Sequence, residues 1–118
     1  MMLFSGLKNT KGSNMNNLNS LLIEGIVGSN PVITTSKKGT PICIFTLISK
    51  CTFQEMDTPQ EDTIEMTVEA WARVAEICDK YCMKGDSVKI IGRLKQNATD
   101  SKATVIAHSI EFRPIVRI

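Results

Sequence analysis

The stretch from Ile64 to Lys95 constrains what this chain can fold into more than any other. Ile64, Met66, Val68 and Ala70 alternate with polar neighbours, which reads as a strand running into Trp71, the only tryptophan. Apolar residues then recur at helical spacing. They predict a helix over Arg73–Met83 that buries Val74, Ile77 and Tyr81, with Gly85 as its C-terminal stop. After Lys84-Gly85-Asp86 the period returns to two, in Val88, Ile90, Gly92 and Leu94. A single helix between two strands, with more strands on either side, is the order of a small five-stranded Greek-key barrel, a mainly β fold with its helix between the third and fourth strands.

The flanking sequence supplies the other strands. Leu21–Val27 reads as the first, with Gly25 where a small barrel must bend. Gly28–Pro31 is a turn or bulge, after which Val32–Thr35 continues the strand. Ser36–Thr40 closes a hairpin into a long second strand, Ile42–Phe53, whose two parities are both apolar and imply burial on two faces. Gln54–Asp62 is expected to be a polar, acidic loop, and Thr63–Trp71 the third strand. Ser87–Lys95 is the fourth, Gln96–Ser101 a turn, and Lys102–Phe112 the fifth. Residues 1–18, rich in Asn, Ser, Lys and Gly, are expected to be a disordered lead, with Met15 an alternative start. The folded domain is expected over 19–114, followed by a short end at 115–118.

A chain of 118 residues suits one domain with a single core. Its net charge of +2 hides a division. Residues 1–50 carry +4, residues 51–69 carry six acids and no base, and residues 70–118 carry +4 again. A basic surface with a separate acidic loop fits phosphate binding, as ordinary solvated charge would also fit. Nothing approaches the ~20 apolar residues of a membrane span, and Met1–Phe4 is too short for an export signal. The four cysteines, Cys43, Cys51, Cys78 and Cys82, form no disulfide framework. The reduced cytoplasm is therefore the expected location.

Catalysis finds little support. His108 is the only histidine and lies in an alternating strand without a visible partner. Cys78 and Cys82 share a helix face but lack a second ligand pair for zinc, so they read as small buried hydrophobes. No glycine-rich phosphate loop is present. The expectation is a binding protein with no metal and no cofactor. Holding a flexible single strand takes aromatic faces for bases and cations for the backbone. Phe53 and Trp71 are the candidate stacking residues, ending the second and third strands on the side where such barrels open. Lys50, Arg73, Lys84, Lys89, Arg93 and Lys95 are the candidate backbone contacts. For Trp71, core packing remains the alternative.

Three segments carry a resemblance. They are Asn19–Gly25 with Asn30-Pro31, Gly39–Leu47, and the centre from Val68 to Cys78 and Tyr81 to Val88, running into Gly92-Arg93-Leu94. Over about Asn16 to Pro114 the chain resembles the bacterial single-stranded DNA-binding protein of replication. The resemblance implies the OB-fold barrel and sequence-independent coating and protection of single-stranded DNA in replication, recombination and repair. It also implies a nucleoid-associated location and a homo-oligomer paired through the first strand, a tetramer in the first place and a dimer as the alternative. It places Phe53 and Trp71 at base-stacking positions, and Arg73 and Lys84 at basic ones. Glu65 stands where many members have a third aromatic, with Met66 beside it, and the Gln96–Ser101 turn lacks the aromatic of the longer loop. The sequence also lacks the acidic tip through which members recruit replication and repair proteins, so recruitment by that route is not expected. A second reading of the same fold is a primosome-type interaction module that binds DNA weakly.

Overall fold

The computed structural model describes residues 17–113. The expected disordered lead, up to residue 16, the last residue of the expected domain, Pro114, and the expected short end at 115–118 lie outside the described residues. Six strands and one helix follow in the order β1 (Leu21–Val27), β2 (Val32–Thr35), β3 (Pro41–Glu55), β4 (Thr58–Trp71), α1 (Arg73–Tyr81), β5 (Ser87–Gln96) and β6 (Ala103–Phe112). The sheet runs β1-β5-β6-β4-β3-β2, and β1 also pairs with β3 through Ile26↔Ile48 and Val27↔Leu47. Those two pairs close five strands into a barrel. β4 and β6 are parallel, the other pairs antiparallel.

β1 and β2 together make the expected first strand, interrupted at Gly28–Pro31. The interruption is pinned to β3: Gly28 donates its N–H to the Thr46 carbonyl at 2.7 Å, and Thr46 donates to Ser29 Oγ at 2.9 Å. At Gly25, a Cβ would run into the backbone of Ile48, so only glycine lets β1 cross from β5 to β3 there. Gly92 meets the Ile106 carbonyl in the same way. It sits at a bulge where Ile91 faces Ser109 but Gly92 faces Ala107, leaving His108 as the extra residue.

Inward positions fill the barrel: Val27, Phe45, Leu47, Val68, Ala70, Val88, Ile90, Val105 and Ala107 are all buried. Each large aliphatic or aromatic side chain among them stabilises the fold by ~1.5–3 kcal/mol. α1 packs on β3, β4 and β6, burying Ala75 and Cys78 with the following Cys82 against Cys43 in the same cluster. The helix ends at Tyr81, earlier than Met83, and Tyr81 is exposed where burial was expected. Gly85 is not its stop. Cys82 already has extended backbone, and Gly85, at φ 96°, shapes the separate turn that leads from α1 into β5 and is bonded to the end of β1. In that turn Gly85 donates to the Val27 carbonyl at 2.8 Å, Val27 donates to the Asp86 carbonyl at 2.9 Å, and Asp86 Oδ2 accepts the Met83 N–H at 2.9 Å.

The expected acidic loop at Gln54–Asp62 is strand. β3 and β4 stay paired out to Glu55↔Thr58 around Met56-Asp57, both at positive φ (51° and 66°), as a two-residue hairpin turn of the mirror-image kind requires. This ribbon leaves the barrel and is exposed from Lys50 to Glu65. Pro59 is accommodated because a two-stranded ribbon has free outer edges. The final turn falls at Asn97–Lys102 and not at Gln96–Ser101, closed by Asn97 N–H to the Lys102 carbonyl at 2.8 Å.

Candidate nucleic-acid interface

Strand alternation decides the place of Trp71. Met66, Val68 and Ala70 point into the barrel, so Glu65, Thr67, Glu69 and Trp71 point out. Trp71 is 38% exposed and stands on the outer face, which rules out core packing. Parallel pairing sets Glu69 beside Ile106 of β6, and antiparallel pairing sets Arg93 of β5 on Ile106's other side. Glu69, Ile106 and Arg93 thus form one row across three strands. Trp71, His108 and Lys95 flank it, and the six residues line one open depression.

The polar contacts on this face converge on one atom. Trp71 Nε1 donates to Glu69 Oε1 at 2.7 Å, and Lys95 Nζ reaches the same oxygen at 3.3 Å. The Glu69 side chain is only 14% exposed, whereas Lys95 is 41% exposed. Ile106 is almost covered and forms an apolar floor. A half-exposed indole over an apolar floor, with two cations at its edge, can stack a planar ring and hold a phosphate.

The expected cations do not form one groove. Arg93 and Lys95 lie with Trp71. Arg73 opens α1 two residues further on, in a surface groove with Glu76, Ile77, Lys80 and Tyr81. Lys84 is in the turn beyond the other end of that helix. Lys50 lies elsewhere on the barrel, near Glu24, Ile26, Ile48 and Arg113. Lys89 is paired with Glu111 at 3.4 Å. Among the described residues, Lys50, Arg73, Lys84 and Arg93 form no ion pair.

Phe53 and Trp71 are not on one side of the barrel as expected. In antiparallel neighbours the C-terminal ends lie at opposite ends of the ladder: Phe53 faces Gln60, while Trp71 faces Ile42. Eleven register positions separate them, roughly 36 Å along the ribbon. Phe53 also has the opposite parity, and its stretch of ribbon carries Glu55, Asp57, Glu61 and Asp62. Glu65, opposite Ile48, is on the outer face with Trp71, whereas Met66 is half-buried against the core.

Two of the buried thiols, Cys43 and Cys78, are held above the ordinary thiol range. The Cys43 thiol is pushed up to about 11 by burial and then by neighbouring Cys78. Cys78 is pushed up mainly by its hydrogen bond with Cys82, with burial second. Asp100, on the exposed last turn, is held below the usual carboxylate range chiefly by the Lys102 N–H, 3.0 Å from Oδ1. No group of three or more metal-ligating side chains occurs among the described residues. No helix among them is long and apolar enough to cross a membrane.

The model of the single-strand binding protein family matches residues 18–113. The chain belongs to that family. Single-stranded DNA-binding protein 1 of Chlorobaculum tepidum is 32% identical over 88 residues, covering 74% of this chain and 54% of its own length. The chain thus spans about half of that relative. Among solved structures, the small single-stranded DNA-binding protein of Streptomyces coelicolor is 28% identical, with a TM-score of 0.67, over 85% of this chain and 96% of its own. The Plasmodium falciparum SSB in complex with single-stranded DNA superposes at a TM-score of 0.74 with 21% identity, over 86% of this chain and all of that one. The likeness at 21% bears on fold, and the fold is the OB-type barrel expected from the strand–helix–strand centre.

Sequence reasoning missed Glu69, Ile106 and His108 as members of the Trp71 face. For Glu69 a signal existed. Residues two apart on a strand share a face, so Glu69 had to stand beside Trp71 once β4 was assigned. Ile106 and His108 required the β4–β6 register, which no local pattern supplies.

Proposed function

We propose that this chain binds single-stranded DNA without sequence preference, as a non-catalytic coat that protects exposed strands during replication, recombination and repair. The observation that carries the reading is the β4–β6–β5 face of a single-strand binding family member: exposed Trp71 beside Arg93 and Lys95, with Arg73 at the adjoining helix start. Stacking on Trp71 supplies sequence-tolerant affinity, and the cations supply backbone contacts. Phe53, Lys50, Lys84 and Lys89 belong to the proposed path as more distant contacts, reached only by a strand that winds around the barrel and out along the ribbon. The proposed location is the cytoplasm, at the nucleoid, and the proposed assembly is a homo-oligomer.

The test is titration with oligo-dT while following Trp71 emission. Stacking contributes roughly 1–3 kcal/mol per base, so Trp71→Ala is expected to weaken binding at least about tenfold with the fold intact, and Phe53→Ala to weaken it less. Single strands should quench the emission and duplex should not. Each neutralised phosphate adds about −0.7 to the slope of log affinity against log salt, and about three to six contacts per subunit are expected. Arg73→Ala or Lys84→Ala should each flatten the slope without creating a base preference. An unaltered affinity in Trp71→Ala, or a slope near zero, would overturn the reading.

A further inference from the structure

Glu69 is out of place on a surface that holds a polyanion. It is the one carboxylate that lines the depression with Trp71, Arg93, Lys95, Ile106 and His108, and it is largely covered. It could be an accident of composition, as the last acid of the 51–69 block, but its contacts argue otherwise. One oxygen, Oε1, accepts the Trp71 indole N–H at 2.7 Å and the Lys95 ammonium at 3.3 Å. The other five acids of that block make neither an ion pair nor a side-chain hydrogen bond to another side chain among the described residues. Of that block, Glu69 alone is tied to residues that the DNA reading uses.

Resting on that reading, we propose that Glu69 is a positioning residue with two linked effects. It anchors the Trp71 ring through its N–H, and it neutralises Lys95 until a phosphate takes that lysine over. The first effect favours binding, because a ring already fixed on the sheet loses less freedom when a base stacks on it. The second opposes binding. A phosphate approaching Lys95 must displace a carboxylate, and that carboxylate then remains near the new anion. Glu69 thereby moderates the grip of the face and lets a strand be released. A structural carboxylate with no bearing on DNA would have neither effect on binding.

Three variants separate these effects, measured by oligo-dT titration between 50 and 200 mM salt on the full chain. Glu69→Gln keeps an oxygen acceptor for the indole but removes the charge. It is expected to leave Trp71 emission unchanged, tighten binding, and steepen the salt slope by about 0.7, one added phosphate contact. The advantage over the wild type should then shrink roughly threefold across that fourfold salt range. Glu69→Leu loses the anchor as well, so its Trp71 emission should shift and its quenching by DNA should fall. In a Lys95→Gln background, Glu69→Gln should no longer steepen the slope. The inference is overturned if Glu69→Gln matches the wild type in affinity and slope, or if its effect persists without Lys95. Failure of the broader reading is distinguishable, because wild-type protein would then show no single-strand quenching at all.

Discussion

At the scale of single residues, the cysteines show how position outweighs chemistry. All four are free thiols, but Cys43, Cys78 and Cys82 lie inside where α1 meets β3, and only Cys51 is exposed, on the projecting ribbon. A thiol-reactive probe is therefore expected to label Cys51 alone in the native protein and all four in denaturant. Early labelling of a second thiol would mean that α1 opens locally. The buried thiols also give a pH dependence with a definite sign. The Cys43 pKa rises from an ordinary value of 9.0 to about 11 in the fold. The unfolded chain loses this proton first, so the contribution is intact below pH 9.0 and is lost as pH climbs toward 11. The slope is at most about 1.4 kcal/mol per pH unit for one thiol. Thermal unfolding midpoints should fall across that window, and Cys43→Ala should reduce the fall.

Elements were legible in the sequence where periodicity and burial agree. β5 and β6 were readable from alternating apolar residues because one face of each meets the core, and β1 from a short apolar run bounded by turn residues. The outer halves of β3 and β4 were not. Gln54, Glu55, Gln60, Glu61 and Asp62 have weak strand preference and bury nothing, and the turn at Met56-Asp57 lacks the glycine that signals a tight hairpin. There the pairing simply continues from a register already set inside the barrel. The end of α1 was misplaced for a related reason: Gly85 marks a positive φ, but tertiary hydrogen bonds to β1, not helix termination, require it. The junction between β4 and α1 holds a strained residue that no pattern announced. Ala72 takes φ 56° and ψ −123°, conformational space suited to glycine, and its N–H is committed to the Pro41 carbonyl at 2.9 Å. Ala72→Gly is expected to stabilise the protein by about 1 kcal/mol, relieving strain by more than it adds unfolded-state entropy. A lower midpoint in denaturant titration would show that the local strain is smaller than the entropic cost.

For the molecule as a whole, the order of elements was enough to name the barrel, because one helix between the third and fourth strands admits few alternatives. The candidate site was only partly legible: alternation places Trp71 outside, but its neighbours come from β5 and β6, and register between distant strands is set by closure. The same closure gathers an apolar strip that water should not cover. On the outer side of β1, Leu22 faces Ile91 of β5 and Ile26 faces Ile48 of β3, with Leu22 64% exposed and Ile26 45%. Glu24, opposite Lys89 and paired with Arg113, stands between the two apolar pairs on that face, and exposed apolar side chains framed by charge on a small domain mark a contact surface. Burial against the same strip of a second copy would cover both at once, since a two-fold contact matches a surface to itself. The expected state is a dimer or tetramer held partly through β1, read by light scattering on protein lacking residues 1–14. Ile26→Lys should dissociate it, because the change sets a charge into the contact while leaving the barrel interior untouched. DNA binding should weaken in parallel, as a strand spanning several subunits loses its linked sites. A monomer at micromolar concentration in the unmutated protein would sink the idea, and an Ile26→Lys variant that keeps its oligomeric mass would move the contact to another face.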